Sequence, residues 1–254
     1  MPDILVCVKA VPATMQVQVD GQYRLQRSGV ALQWNIADEA ALEAALRQKG
    51  NGSVTLLTMG PEKLEDPLRK LLACGADRAV LITDPAMVGA DTHATARALA
   101  AAVNYLGKFD LIFCGRRAVD GETGQVPSQL AAALGLPCVT NVQSLKCVDG
   151  SVCLVRQLEG GTVQMQGRFP MVITICEYSY PLRLPGIMGM RRAKNQPITH
   201  LTAQNLGLGR KQCGLQGSLT KVIAMESSFP GLRNGTKETD LTKAIPILKQ
   251  EVGL

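Results

Sequence analysis

The sequence predicts an α/β fold: a mostly parallel sheet flanked by helices, with added β-hairpins and a C-terminal arm. Short apolar runs alternate with amphipathic stretches through the first part of the chain. The runs are continuous rather than alternating in polarity, as expected for strands that helices cover on both faces. We expect five such strands, at residues 4–8, 54–59, 80–82, 111–114 and 172–175.

Helices are predicted between these strands by apolar residues that recur at helical spacing. Stripes of this kind lie at residues 64–72, 99–106 and 126–134. A glycine follows each stripe, where a helix can end in left-handed geometry: Gly75, Gly107 and Gly135.

Turn signals predict that antiparallel hairpins interrupt this pattern, so we expect a mixed sheet. Asp20-Gly21 separates two short β-rich runs, and Asp149-Gly150 and Gly160-Gly161 divide residues 145–166 into three strands. Beyond Tyr180, frequent proline and glycine predict little regular core structure. A final amphipathic helix cannot bury its own apolar face, so it must pack on the domain or on another protein; its stripe is Leu241, Ile245, Leu248 and Val252.

Composition narrows the class of protein. Apolar residues make up 46% and charged residues 19%, which is ordinary for a globular domain, and the net charge of +6 leans only weakly toward anionic partners. Four Phe, four Tyr and one Trp, with no recognisable nucleic-acid module, argue against nucleic acid as a partner. The eight cysteines include no Cys-x-x-Cys pair, so we expect neither a metal site nor a disulfide framework. The apolar runs are too short for membrane insertion and the N-terminus lacks signal-peptide features, so we expect a cytoplasmic protein.

A ligand site is predicted at the carboxyl ends of the strands, where open α/β sheets bind their ligands. Four segments are expected to converge there: 9–12, 59–61, 89–92 and 115–125. The segment from Ala118 to Val126 is the most informative. Its amides and the Thr123 hydroxyl could hold phosphates at a helix start, and Asp120 or Gln125 could bond a ribose or base edge. The alternative is that Asp120-Gly121-Glu122-Thr123 is only a turn and a helix cap.

Five ordered motifs resemble the beta subunits of electron-transfer flavoproteins. They are Ile4 to Pro12; Asn35-Ile36-Ala37-Asp38 before Glu39 and Glu43; Thr58-Met59-Gly60-Pro61; Ala90-Asp91-Thr92; and Gly115 to Val126. The resemblance continues through Leu182-Arg183-Leu184-Pro185-Gly186-Ile187-Met188 and the basic run after it, and it covers roughly residues 1–200.

The resemblance implies an adenine nucleotide alpha-hydrolase-like fold that holds an adenine nucleotide. The residues implied in cofactor binding are Cys7, Lys9, Asn35, Asp38, Met59, Gly60, Asp91, Thr92, Thr95, Gly115, Asp120, Gly121, Glu122, Thr123, Gly124, Gln125 and Val126. From the residues themselves, we interpret the carboxylates of Asp38, Glu39 and Glu43 as helix caps or complements of the helix dipole rather than acid–base groups.

The resemblance also implies a partner-recognition loop at about residues 181–195 within a nucleotide-binding domain of residues 1–200. Leu184 stands in the position of a leucine that anchors in partner dehydrogenases, of the acyl-CoA dehydrogenase type or another flavin type. The other docking residues are Pro185, Ile187, Met188 and Arg191. Residues 201–254 are expected to form an arm that packs on the alpha subunit.

The nucleotide in this subunit is expected to be FAD, with AMP as the alternative, in addition to a flavin shared with the alpha subunit. The loop at 120–123 looks shorter than in mitochondrial-type members that hold AMP, and closer to anaerobe-type members that hold a second FAD. Two other functions on the same fold are nucleotide hydrolysis or adenylation, and nucleotide sensing without redox chemistry. The first needs a Gly-rich loop after the first strand, which residues 9–14 lack, and a nicotinamide dehydrogenase would need Gly-x-Gly-x-x-Gly there.

Overall fold

This computed structural model describes residues 1–13, 31–223 and 240–252. Its strands are β1 (Ile4–Cys7), β2 (Ala10–Pro12), β3 (Leu32–Trp34), β4 (Val54–Met59), β5 (Arg78–Ile82), β6 (Leu111–Gly115), β7 (Cys138–Val148), β8 (Ser151–Leu158), β9 (Gly161–Arg168), β10 (Met171–Ile175) and β11 (Ile198–Leu201). The helices are α1 (Ile36–Gln48), α2 (Glu65–Ala73), α3 (Thr92–Leu106), α4 (Val126–Leu134), α5 (Ile187–Asn195), α6 (Gly214–Gly217) and α7 (Leu241–Val252).

Nine strands form one mixed sheet in the order β11-β5-β4-β1-β6-β10-β7-β8-β9. The pairs from β11 to β7 are parallel, and β7, β8 and β9 continue as antiparallel strands. All five predicted core strands are confirmed, as are the two predicted hairpins that join β7, β8 and β9. The mixed α/β architecture is therefore the one that the sequence predicts.

Helices cover both faces of the parallel part of the sheet. Side chains of α1, α2 and α5 share one apolar cluster with Ile4 and Val6 of β1, and α3 and α4 share the other with Leu5. Alternate residues of the same strand thus enter opposite layers, which explains why its sequence is apolar at every position.

The helix ends match the glycine signals in part. Gly135 adopts the left-handed conformation after α4, with φ at +66°. Gly75 and Gly107 also have positive φ, at +128° and +112°, but lie outside the left-handed helical region.

A two-stranded ribbon of β2 and β3 stands apart from the main sheet. The ribbon leads into residues 14–30, so the turn predicted at Asp20-Gly21 lies outside the described residues. Trp34 at the end of β3 donates from Nε1 to the Pro67 carbonyl at 3.2 Å, which fixes the ribbon on α2.

The segment after Tyr180 is more regular than the sequence suggests. It forms α5, and then β11 extends the sheet by pairing in parallel with β5. Residues 202–221 belong to the first compact unit, Met1–Lys221, whereas the arm that the sequence predicts begins at residue 201. The second unit, Val222–Leu254, contains α7 at the position predicted for the last helix. Among the described helices, none is long and apolar enough to span a bilayer.

Candidate functional site at the β1/β6 crevice

The carboxyl ends of β1 and β6 lie where the winding of the sheet reverses, and we refer to this place as the β1/β6 crevice. β4 and β5 lie on one side of β1 in the sheet. The chain then passes through α3 to β6, which lies on the other side of β1. Open α/β sheets bind their ligands outside the carboxyl ends of the strands at such a point. Lys9 follows β1 and the segment 116–125 follows β6, so two of the predicted segments meet at this crevice.

Asp38 fastens the two sides of the crevice together. Its Oδ2 accepts a hydrogen bond from the Lys9 amide at 2.8 Å, and its Oδ1 accepts one from the Gly115 amide at 3.0 Å. Burial raises the pKa of Asp38 to about 7, although these hydrogen bonds favour the ionised form. Asp38 lies in the first turn of α1, where a carboxylate complements the helix dipole, and in addition its carboxylate joins the ends of β1 and β6.

Asn35, just before α1, shapes the start of the segment after β6. Its side-chain Nδ2 donates to the Arg117 carbonyl at 2.9 Å, and its Oδ1 accepts from the Val119 amide at 3.3 Å. The Asn35 amide also donates to the Lys9 carbonyl at 3.0 Å. One residue thus contacts both segments, and its side-chain amide, which both donates to and accepts from the segment after β6, accounts for an asparagine at this position.

Lys9 and Asp120 close the network, with Nζ and Oδ1 2.6 Å apart. The Asp120 side chain is buried, whereas that of Lys9 is half-exposed. The structure therefore brings Lys9, Asn35, Asp38, Gly115 and Asp120 into one connected set, although they are up to 111 residues apart in sequence.

The segment after Asp120 presents exposed polar groups at the N-terminus of α4. Gly121, Glu122, Thr123 and Gln125 are exposed, and Glu122 and Gly124 have positive φ. The first amides of a helix have no intrahelical acceptors and, together with the helix dipole, favour an anion. The bend at Glu122 and Gly124 is consistent with the predicted turn before α4. The same turn leads into the first turn of α4, whose amides have no intrahelical acceptors.

The N-termini of α3 and α4 lie side by side. The Thr92 hydroxyl donates to Gln125 Oε1 at 3.0 Å and accepts from Gln129 Nε2 at 3.3 Å. Two helix N-termini beside each other reinforce the positive potential that a phosphate group favours. Thr92 and Gln125, both predicted site residues, are therefore neighbours in space.

Asp91 is committed to structural contacts. Its Oδ1 accepts from the Ala94 amide at 2.9 Å as the N-cap of α3, and its Oδ2 accepts from the amides of Leu219 and Thr220, each at 2.9 Å. Burial raises the pKa of Asp91, but these hydrogen bonds outweigh it and the pKa is lowered. The carboxylate thus holds the chain at Leu219 and Thr220 over the start of α3.

The remaining predicted residues lie at the ends of strands and helices near this edge of the sheet, outside the connected set. Half-buried Cys7 ends β1 beside buried Cys114, whose pKa is raised by its hydrogen bond with Cys7 and by burial. Met59 ends β4, on the other side of β1, and a Cβ on Gly60 would approach Leu64 closely. Thr95 lies half-buried in the first turn of α3, and Val126 begins α4.

A second candidate surface lies at the predicted recognition loop. Leu184, Ile187 and Met188 are 91%, 80% and 75% exposed, Arg191 is exposed, and Pro185 is half-buried. We refer to these five residues as the docking surface. It combines three large apolar side chains with a cation at the edge of the protein.

The back of α5 is fixed on α2. A Cβ on Gly189 would overlap the Ala73 carbonyl, and Ala193 is buried. Arg192 Nη2 donates to the Leu72 carbonyl at 3.2 Å, and Arg69 Nη1 donates to the Gln196 carbonyl at 2.7 Å. The docking surface thus stands on a helix held by packing and by two arginines.

Glu43 of α1 holds the residue next to Leu184, a relationship that we did not predict. Arg183 Nε donates to Glu43 Oε2 at 2.8 Å and Arg183 Nη2 to Oε1 at 2.9 Å, while Arg47 Nε donates to Oε1 at 2.8 Å. Burial raises the pKa of Glu43, but the bonds from Arg183 and Arg47 outweigh it and lower the pKa to about 2. Helical spacing could have revealed the Arg47 pair, whereas Arg183 is 140 residues away. Glu43 is therefore an ion-pair acceptor rather than a cap.

Comparison with known proteins shows the family to which the chain belongs. The family model described as "Electron transfer flavoprotein domain" matches residues 23–205. The chain is 42% identical over 227 residues to the electron transfer flavoprotein subunit beta of Thermoanaerobacterium thermosaccharolyticum, covering 87% of this chain and 86% of that protein. It is 40% identical to the corresponding subunit of Megasphaera elsdenii and 40% identical to the caffeyl-CoA reductase-Etf complex subunit CarD of Acetobacterium woodii, covering 87% of this chain in each case and 85% and 86% of the relatives.

The sheet and its helices define an α/β protein, and the family model places it among electron transfer flavoproteins. The chain belongs to the electron transfer flavoprotein family, and two of the relatives named above are beta subunits. The predicted resemblance is thereby confirmed.

Proposed function

We propose that this chain binds an adenine nucleotide at the β1/β6 crevice and passes electrons between a flavin shared with an alpha subunit and a partner dehydrogenase. The single observation that carries the proposal is the crevice network, in which Asp38 and Asn35 tie the end of β1 to the segment after β6. In this family the cofactor performs the redox chemistry, and the protein binds and orients it.

The nucleotide site is supported by where polar groups and helix ends lie. The exposed segment 121–125 and the Thr92 hydroxyl border the N-termini of α4 and α3, which favour phosphate. In the proposal, the phosphates lie at these termini, while Cys7, Met59 and Gly60 border the adenosine part. Asp91 and Asp38 act by fixing main chain, since their oxygens already accept amide hydrogen bonds.

FAD is the proposed nucleotide, with AMP as the alternative. The short Asp120-Gly121-Glu122-Thr123 segment favours FAD, through its resemblance to family members that hold a second flavin. Gly121 lies in open space, with no atom within 4 Å of an added Cβ, which suits the close approach of a larger ligand.

The partners are proposed from the docking surface and from the relatives. One relative is named as a subunit of a caffeyl-CoA reductase-Etf complex, which favours an acyl-CoA dehydrogenase-type partner for this chain. Leu184 is proposed as the apolar anchor, because it is large, almost fully exposed and carried next to a fixed helix. The second unit, Val222–Leu254, is the proposed arm that packs on the alpha subunit.

A reducing compartment, the cytoplasm, is the proposed location. The eight cysteines are all free thiols, and one of them, Cys153, is exposed. Free thiols persist where glutathione and thioredoxin keep them reduced.

Coexpression with the alpha subunit tests the proposal. The chain is expected to copurify as a yellow heterodimer that releases two FAD on denaturation, counted by absorbance and chromatography. A colourless, stable monomer under the same conditions would contradict the whole proposal. One FAD with one AMP would reject the choice of FAD while leaving the nucleotide site intact.

A further inference from the structure

The contact between Arg183 and Glu43 links the docking surface to the core of the protein. Arg183 directly precedes Leu184, and its main-chain amide as well as its side chain donates to the Glu43 carboxylate, the amide at 3.2 Å. A bidentate arginine–carboxylate pair has a defined geometry, unlike a single point contact. The position of the Arg183 main chain therefore depends on Glu43.

Glu43 itself cannot shift easily. It is 2% exposed within α1, among buried neighbours such as Leu42 and Ala44. Arg47 donates to the same carboxylate, and its guanidinium lies 5.4 Å from the centre of the Tyr180 ring. The Tyr180 hydroxyl in turn accepts from the Leu145 amide at 2.9 Å. The carboxylate is thus held on two sides, by α1 and by the chain that leads into the docking surface.

The same helix begins at the crevice. Asp38 and Glu43 lie five positions apart in α1, which corresponds to about 7.5 Å along the helix axis. Because α1 is buried along most of its length, it fixes the distance between the nucleotide segments and the base of the docking surface.

We propose that Glu43 is a positioning residue for electron transfer: its pair with Arg183 holds Leu184 in the conformation that a partner dehydrogenase recognises. The inference rests on the proposed function, since it assumes that Leu184 docks. An anchor that is already held in its bound conformation loses little conformational entropy during association. Losing this pre-arrangement is therefore expected to weaken binding more than it slows electron transfer within the complex.

Kinetics with a purified acyl-CoA dehydrogenase that reduces the wild-type heterodimer tests this role. Glu43→Gln is expected to raise the KM for the heterodimer about tenfold, while kcat changes less than about twofold and flavin content is unchanged. Arg183→Gln, which changes the half-exposed partner and leaves Arg47 paired with the buried carboxylate, is expected to give the same split. The KM of the double variant is expected to be no higher than that of either single variant, because both substitutions remove the same contact.

Two further variants make the result decisive. Glu39→Gln is the matched control, because Glu39 lies one turn earlier on α1 and forms no ion pair among the described residues; its KM is expected to stay at the wild-type value. Arg183→Lys keeps the charge but loses the bidentate fork. Its KM is expected to lie between that of Arg183→Gln and that of the wild type.

Several outcomes would overturn the role of Glu43. If Leu184→Ala raises KM but Glu43→Gln and Arg183→Gln do not, the docking proposal stands and the positioning role fails. A fall in kcat and flavin content with unchanged KM would mark Glu43 as purely structural. An unchanged KM in Leu184→Ala would reject the docking proposal itself, and this inference with it.

Discussion

Gly115 passes so close to Asp38 that a Cβ on the glycine would overlap the carboxylate oxygen to which the Gly115 amide donates. The contact places the last residue of β6 against the first turn of α1. It explains why a glycine ends this buried strand: any side chain would separate the carboxylate from the strand. The geometry of the crevice thus depends on one missing methyl group.

Gly115→Ala is expected to reduce nucleotide content and stability together. The added methyl must displace Asp38 or the backbone of Ala37, and overpacking of this kind costs about 1–3 kcal/mol. Gly160→Ala, in the turn between β8 and β9, is the matched control, since its Cβ would meet no atom within 4 Å. The measurement is nucleotide content after gel filtration together with the thermal midpoint. Equal effects of the two substitutions would argue against a special contact at Gly115.

Asp38→Asn is expected to alter how stability depends on pH. Because the pKa of Asp38 is raised from 3.8 to about 7, folded protein binds the proton more tightly than unfolded chain. Ionisation therefore lowers wild-type stability by up to about 1.4 kcal/mol for each pH unit between these two values. The stability that protonated Asp38 contributes is fully present below pH 3.8, the unfolded pKa, and is lost as pH rises through about 7, the folded pKa.

An asparagine at position 38 does not titrate. Its amide nitrogen, however, cannot accept one of the two hydrogen bonds that the amides of Lys9 and Gly115 donate to Asp38. Asp38→Asn is therefore expected to be less stable than wild type by an amount that is largest below about pH 4 and shrinks as pH rises to about 7. Thermal midpoints of both proteins across this range measure the difference. A deficit that widens with rising pH would contradict the raised pKa.

Periodicity and turn chemistry predicted most of the fold because both are local. Continuous apolar runs gave the five central strands, and Asp149-Gly150 and Gly160-Gly161 gave the hairpins of β7, β8 and β9. By contrast, β11 is four residues long with one buried side chain, and it owes its place to pairing with β5. Such a strand has no local apolar pattern to detect.

The site was predictable to the extent that motifs mark it. Thr92 and Gln125 were expected in one site, and they lie within hydrogen-bonding distance. The roles of Asp38 and Glu43 were not predictable, because each acts on partners that are distant in sequence. An acidic residue near a helix start looks the same whether it caps that helix or joins two strands.

Lys9→Met is expected to speed nucleotide release by a few-fold. The substitution removes the ion pair to Asp120 that closes the segment after β6, but Lys9 is half-exposed, so the pair contributes less than about 1 kcal/mol. Lys49→Met is the control: it removes a pair of similar length, Lys49 to Asp77 at 2.7 Å, near the amino ends of the strands. Release is measured by dilution and filtration. Identical rates in wild type and Lys9→Met would exclude a role for this ion pair in retention.

Leu184→Ala is expected to slow electron transfer from an acyl-CoA dehydrogenase while flavin content stays at the wild-type level. Removing a large apolar side chain at the centre of an interface costs more than about 1 kcal/mol of binding, so about a fivefold to tenfold rise in KM is expected. Leu158→Ala makes the same change at another exposed leucine, at the end of β8, and serves as control. Because Leu184 is 91% exposed, the substitution removes little packing within the chain, and the thermal midpoint is expected to stay unchanged. A drop in midpoint equal to that caused by a core substitution would mean that Leu184 stabilises the protein itself, and the kinetic change would then say nothing about docking.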